Sequence, residues 1–328
     1  MITIMVTGAG AVLGQGIVKA LQRSALDCRI VTADPSPLSS ALYWAETAYK
    51  VPFASDPDYV DRFSEILAQE KPDMVLVGTD VELPCFAEHR HNLEEQFNTH
   101  ILVSDPRVVA IADDKYLTQE FLTESDINPL ATALPEDEEA LAAVIEKVGF
   151  PLIVKPRIGA RSAGVSLVQT EVELRETVKG RSGLMVQECA GEPDTEYTAS
   201  ALVFDGQAQA SIVMRRDLRD GNTNRAYSDA YEDLNAFVRK AGEALQPYGP
   251  ANFQFRIDAA GRPRIFEINA RFSGATPLRA LVGFNEVEMC IRKILFGEDI
   301  IEPEIRHGTI LRHLSEQFVS AEQLDQVR

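Results

Sequence analysis

Hydrophobic and polar positions along the first hundred or so residues switch repeatedly between two periods. Short apolar runs at residues 2–7, 29–33, 74–78 and 100–103 read as strands. Stretches near 13–23, 59–70 and 85–97 carry the wider spacing of amphipathic helices. Alternation of this kind predicts a parallel sheet covered by helices on both faces. The texture changes after Ser104-Asp-Pro106: Asp113-Asp-Lys115 opens a helix running to about Thr123, Asp126-Ile-Asn-Pro129 leads into a strand, 140–148 is helical, and 150–156 and 183–188 are apolar strands. Residues 251–257 and 265–269 alternate with period two around a turn at 258–263, so they fold as a hairpin. The charge-rich stretch 214–225 reads as a solvated, flexible loop between strand-like stretches.

Several of these elements end in residues that carry chemistry. Thr7-Gly-Ala-Gly-Ala-Val-Leu-Gly14 lies where the first strand turns into the first helix, and Asp34 ends the second strand. Gly8, Gly10, Gly14 and Asp34 could therefore hold a dinucleotide, although the spacing is GxGxxxG; the alternative is that the glycines only permit a tight turn. Thr79, Asp80 and Glu82 follow the third strand, where open parallel sheets gather ligands; an Asp there could equally cap the next helix. Lys155 ends a run of buried β-branched residues, an expensive place for an ammonium unless an anion meets it. Gly159, Ser162 and Gly164 follow, a set that suits either a phosphate-binding loop or a glycine-rich hairpin turn. On the C-terminal hairpin, Glu267 and Asn269 share one strand face, Phe266 and Ile268 share the other, and folding brings Gln254 beside Glu267. Such oxygen donors suit Mg²⁺.

Composition narrows the partners. Of 328 residues, 45% are hydrophobic, enough for a large core in two or three subdomains. Acidic residues outnumber basic ones 50 to 32, for a net charge of −18, which argues against nucleic acid or an anionic membrane as partner. Cys28, Cys85, Cys189 and Cys290 are scattered without metal-type spacing, so neither a zinc site nor a disulfide framework is expected and a reducing cytoplasm is the simplest location. No run is long and apolar enough for a membrane span, and the start lacks the basic segment of a signal peptide. His89 and His91 flank Arg90 in a polar segment and read as surface residues.

The strands Asn252-Phe-Gln-Phe and Phe266-Glu-Ile-Asn-Ala-Arg271 closely resemble the metal-binding strands of the ATP-grasp superfamily, in particular its carbamoyl-phosphate-synthase-like members. Asp114-Lys115, Lys155, the glycine loop and Gln187-Glu188 precede them in the order that family has. The resemblance implies an α/β fold: a Rossmann-like pre-ATP-grasp domain (1–112), then a two-lobed α+β ATP-grasp domain with a small lobe (113–187) and a large lobe (188–328). It implies ATP and Mg²⁺ as cofactors, with Mn²⁺ as an alternative. Lys115 and Lys155 would contact the nucleotide phosphates, and the loop with Gly159, Ser162 and Gly164 would close over them. Gln187, Glu188, Cys189 and Ala190 would read adenine, and Glu196, or else Asp194, would hold the ribose. Gln254, Glu267 and Asn269 would hold metal, and Arg271 would stabilise the transferring phosphoryl group.

The implied activity is that of a ligase, which converts a carboxylate to an acyl phosphate and passes it to an amine or other nucleophile, releasing ADP and phosphate. Its partners would be small-molecule substrates, and a homodimer is open. Thr79, Asp80, Glu82, Arg215 and Arg216 are further candidates for contacting substrate. Ala270 stands where the family commonly has proline, a change that touches no ligand. Neither a second ATP-grasp core nor a glutaminase domain is visible, so the full carbamoyl phosphate synthetase reaction is not expected. A nucleotide-binding regulator of the same fold and an NAD(P)-dependent oxidoreductase remain as alternatives.

Overall fold

The computed structural model describes residues 1–159 and 163–327. Its strands form three sheets. The first contains β1 (Ile2–Val6), β2 (Cys28–Asp34), β3 (Thr47–Lys50), β4 (Met74–Leu76) and β5 (His100–Leu102), in the order β3-β2-β1-β4-β5. All of its pairings are parallel. Helices α1 (Val12–Leu21), α2 (Tyr59–Glu70) and α3 (Leu83–Phe97) connect the strands. Because side chains alternate along β1, Met5 joins Phe63 and Phe86 on one face, while Ile4 and Val6 join Ile17 on the other. β3 escaped the sequence reading because only Tyr49 of its four residues is buried, which leaves no apolar run to detect.

The glycine turn after β1 is packed shut. Gly8 has φ +52, and a Cβ there would stand 1.9 Å from the Thr79 side chain. A Cβ on Gly10 would stand 2.1 Å from Ser39 Oγ, and the Gly10 N–H donates to Asp34 Oδ2 at 2.7 Å. Ser36 N–H and Ser39 Oγ donate to Asp34 Oδ1. The space a pyrophosphate would need beside these glycines is filled by Ser39 and Asp34, so the turn serves close packing.

Glu82 does not face a ligand, in contrast to one sequence expectation. The 3₁₀ turn Asp80–Glu82 carries it inward, where it is 3% exposed and accepts hydrogen bonds from Thr7 Oγ1 at 2.7 Å and Tyr59 OH at 2.6 Å. Burial raises its pKa from 4.5 to about 7, against the opposing effect of the hydroxyl donors. The folded state then holds more protons than the unfolded state between these values, so this contribution to stability is present below pH 4.5 and is lost as pH rises through 7. Glu82→Gln removes the titration. Thermal melts of the two proteins should diverge in the variant's favour across that window, by up to about 1.4 kcal/mol per pH unit; a difference independent of pH would contradict this.

Helices α4 (Pro106–Asp113) and α5 (Lys115–Glu124) follow. The sequence reading anticipated one helix here, but Asp114 adopts extended φ/ψ between the two and caps α5 by accepting from Tyr116 N–H at 2.8 Å. The second sheet is antiparallel and contains β6 (Thr132–Ala133), β7 (Leu152–Pro156), β8 (Ser166–Val168) and β9 (Leu184–Glu188), in the order β6-β9-β7-β8. It is covered by α6 (Glu138–Val148) and α7 (Glu171–Val178), whose Leu141, Val144 and Leu174 pack on Leu152, Val154 and Val186.

The third sheet is also antiparallel. It contains β10 (Glu196–Phe204), β11 (Gln207–Arg219), β12 (Asn222–Ser228), β13 (Gly249–Ile257), β14 (Pro263–Asn269) and β15 (Gly308–Leu311), in the order β14-β13-β10-β11-β12-β15. The expected flexible loop at 214–225 is instead the β11–β12 hairpin, turning at Asp220-Gly221, with Arg216 buried. Helix α8 (Glu232–Leu245), together with Val108, Phe121 and Leu122 of α4 and α5, covers one face of this sheet. On the other face, α9 (Thr276–Leu281) and α10 (Glu286–Phe296) share a core with α1. A short α11 (Ala321–Leu324) follows β15, and among the described residues no helix is long and apolar enough to cross a membrane.

Candidate active site

The three sheets surround a cleft of about 660 Å³. Its floor is the β13–β14 hairpin, whose register sets Gln254 opposite Glu267 and Asn252 opposite Asn269. Gln254 Nε2 and Asn269 Nδ2 both donate to Glu267 Oε1, at 3.0 and 3.1 Å. The hairpin thus brings the three expected metal-site residues together. Their amide oxygens accept from Arg216 and Arg271, at 2.6 and 2.8 Å. A half-turn of both amides, with Arg216 and Arg271 shifted aside, would present oxygen in place of N–H, giving one carboxylate and two amide oxygens. That donor set fits Mg²⁺, which takes few protein ligands and fills its shell with phosphate and water. It does not resemble a zinc site, and among the described residues no cluster of three or more His, Cys, Asp or Glu could hold a metal ion.

Lys155 reaches the hairpin from β7, with Nζ donating to Phe266 O at 3.2 Å and the residue only 6% exposed. Burial lowers its pKa to about 7; Glu267 acts to raise it and Lys115 to lower it. Lys115 Nζ donates to Gly159 O at 2.6 Å, which ties the start of α5 to the glycine loop. Gly159 has φ +141 in open space, so the backbone there favours glycine without any packing demand. Gly164 has φ +74, and Ser162 lies outside the described residues.

Gln187, Glu188, Cys189 and Ala190, at the end of β9 beside β7, also line the cleft. Glu188 is charge-compensated: its two oxygens accept from Arg264 at 3.1 and 2.8 Å, and Oε2 also accepts from Ala131 N–H. Glu196 is 4% exposed and clamped by two arginines, Oε1 by Arg216 at 2.8 Å and Oε2 by Arg256 at 2.9 Å. Asp194 is exposed on the 3₁₀ turn Pro193–Thr195, outside the cleft lining. Arg215 stacks on Tyr227, 3.9 Å from the ring centre, and also lies outside that lining.

At the end nearest the first sheet, Arg271 forms a two-pronged ion pair with Asp80 at 2.6 and 3.0 Å. Thr79, Ser273, Gly274, Arg312 and the start of α1 line the same end. Beneath it, the fully buried Arg279 pairs with Glu286 at 3.0 Å and donates to Ser273 Oγ, Thr198 Oγ1 and Asn252 Oδ1. The sequence reading missed Arg256, Arg264, Arg279 and Arg312. Arg256 continues the face of Gln254 two residues on, and Arg279 interrupts the apolar run Pro277-Leu-Arg-Ala-Leu281; both were available signals.

Family comparisons match consecutive parts of the chain: the PylC-like N-terminal domain over residues 4–102, the RimK-like ATP-grasp domain over 112–232, and an ATP-grasp domain of the biosynthetic pathway with Ter operon over 182–317. Solved structures match with comparable extent. N5-carboxyaminoimidazole synthetase from Staphylococcus aureus, complexed with ADP, has 16% identity and a TM-score of 0.70, over 94% of this chain and 80% of that one. L-amino acid ligase from Bacillus licheniformis has 19% identity and a TM-score of 0.67, over 90% and 74%. The biotin carboxylase domain dimer of Hydrogenobacter thermophilus 2-oxoglutarate carboxylase, with MgADP, ADP and bicarbonate, has 18% identity and a TM-score of 0.70, over 94% and 73%. At these identities the structural likeness is one of fold. With the two ATP-grasp matches running from residue 112 to 317 and the sheets arranged as described, the chain is an ATP-grasp protein.

Proposed function

We propose that this protein is an ATP-dependent ligase that phosphorylates a small-molecule carboxylate and passes the acyl group to an amine or other nucleophile, releasing ADP and phosphate. One observation carries the reading: Lys115, Lys155, the Gln254–Glu267–Asn269 set and Arg271 line a single cleft. Phosphoryl transfer between two anions demands charge neutralisation and alignment, which is what such groups supply. ADP bound to structures of this fold supports the same reading.

Gln187, Glu188, Cys189 and Ala190 receive adenine, and Glu196 receives the ribose. Both carboxylates already carry arginine partners: Glu188 Oε1 accepts from Arg264 alone and retains a lone pair, whereas both oxygens of Glu196 accept two arginine N–H groups each, so a ribose hydroxyl would take the place of one of them. Lys115 and Lys155 hold the phosphates with the loop of Gly159 and Gly164. Gln254, Glu267 and Asn269 would hold Mg²⁺, or Mn²⁺ in its place, which would supply charge neutralisation for the phosphoryl group being transferred. Arg271, released from Asp80, stabilises the transferring group and Lys155 assists it.

An ADP-release assay over a panel of carboxylates paired with amines tests the reading. Turnover is expected only with particular pairs. ATP–Mg²⁺ at a hundred times its dissociation constant should stabilise the fold by about 2.7 kcal/mol. Stabilisation by NAD(H) or NADP(H) and none by ATP–Mg²⁺ would overturn it, and the filled glycine turn around Gly10 argues against that outcome.

A further inference from the structure

The cleft is divided by charge and polarity. Among the described residues that line it, every lysine and arginine comes from residues 115–312. The wall supplied by residues 11–113 is apolar, with Val12, Leu13, Val81, Pro84 and Val109 on it, and its two charges are the carboxylates of Asp80 and Asp113. Three chain segments build this wall: the start of α1, the 3₁₀ turn Asp80–Glu82 after β4, and the last turns of α4. The 3₁₀ turn sends Glu82 into the core and leaves Asp80 and Val81 at the cleft, Val81 being 74% exposed. An apolar wall with a few charged groups is the make-up of a small-molecule subsite, and here the charge has one sign.

Asp80 already holds a cation. Its two oxygens accept from Arg271 Nε and Nη2 at 2.6 and 3.0 Å. On the ligase reading Arg271 turns to the transferring phosphoryl group, which leaves Asp80 without a counterion. Asp113 does not relieve it: its own pKa is raised, first by burial and then by the charge of Asp80. A carboxylate partly withdrawn from water and facing a second one favours an incoming cation. The ion pair also fixes the place. A group seated on Asp80 lies one ion-pair distance from the arginine that steadies the phosphoryl group, and so beside the acyl phosphate that forms there.

We infer that the nucleophile is a primary amine with an aliphatic body, its ammonium received by Asp80 and its carbon chain by Val12, Leu13, Val81, Pro84 and Val109. The inference rests on the ligase reading above and adds the class of nucleophile. Asp80 accepts one ammonium proton, and the freed lone pair forms the C–N bond to the acyl carbon as the C–O bond to phosphate breaks. A second N–H proton leaves with the phosphate, and one N–H remains on the amide.

The test uses three probes that differ in one feature at a time: pentylamine, ethylamine and 1-pentanol. Each is titrated into the full chain saturated with the β,γ-imido analogue of ATP and Mg²⁺. Pentylamine is expected to bind at least about tenfold tighter than ethylamine, because three more methylenes leave water. It should also bind at least about tenfold tighter than 1-pentanol, which lacks the charge. Asp80→Asn should erase most of the preference for the amine over the alcohol. Val81 is exposed, so Val81→Ser should fold normally; it should weaken pentylamine and 1-pentanol several-fold alike and leave ethylamine unchanged. Pentylamine binding no tighter than 1-pentanol, or a preference untouched in Asp80→Asn, would overturn Asp80 as the seat of the amine. Ethylamine matching pentylamine would overturn the aliphatic body. Failure of the nucleotide analogue itself to bind would overturn the ligase reading, which is thereby told apart from failure of the amine alone.

Discussion

Lys155→Met is expected to lower ADP formation by about 10²–10³-fold, the usual cost of removing one preorganised charge from a transition state. The fold should survive, because the substitution removes an amine whose burial holds its pKa near 7, a sign that the unliganded site disfavours the charge. The unfolded chain therefore binds more protons than the folded one between pH 7 and 10.5, and this contribution to stability is full above that window and lost as pH falls through it. Phosphates reverse the balance by favouring the ammonium. Nucleotide binding at pH 8 should accordingly take up a proton, seen in calorimetry as a binding enthalpy that changes with the ionisation enthalpy of the buffer. Lys155→Met should show no such change. A variant with wild-type turnover and the same buffer dependence would show that Lys155 does not meet the phosphates.

The largest effect on stability is expected at Arg279. Arg279→Met leaves Glu286 buried without its partner and strips Ser273, Thr198 and Asn252 of a shared donor. Breaking a buried pair from one side costs about 3–5 kcal/mol, whereas replacing both members by apolar residues of similar volume is often close to neutral. Urea unfolding should show that loss in Arg279→Met and recovery of most of it in Arg279→Met/Glu286→Leu. The double variant should still need more Mg²⁺ for half-maximal activity than wild type, because Asn252 pairs with Asn269 across the hairpin. A double variant no more stable than the single one would contradict the account of the pair.

What could be read from the sequence follows from how local each signal is. The pattern of the first domain, β3 excepted, was legible because its other strands are buried runs and its helices have one apolar face. The β13–β14 hairpin was legible because Gln254, Glu267 and Asn269 meet across a single short turn, so period-two alternation suffices to place them. Lys155 stood out as a charge ending an apolar strand, and the structure places it against the same hairpin. What escaped depends on contacts between distant parts of the chain. Asp80 meets Arg271 across 191 positions, and Glu188 meets Arg264 across 76. Glu82 looked like a ligand-facing acid until the 3₁₀ turn was seen to direct it inward to Thr7 and Tyr59. The charged residues of β11 and β12 suggested solvent, yet Arg216 is buried because Glu196 on the adjacent β10 and Gln254 on β13 beyond it accept its hydrogen bonds.

The central claim is that this cleft transfers the γ-phosphoryl group of ATP to a carboxylate. With an accepted carboxylate in hand, labelling its oxygens with ¹⁸O and analysing the products tests that claim most directly. Phosphoryl transfer predicts ADP as the nucleotide product and label in inorganic phosphate, because the carboxylate oxygen that attacks phosphorus leaves with it when the nucleophile takes the acyl group. AMP and pyrophosphate as products, with the label in AMP, would contradict the account.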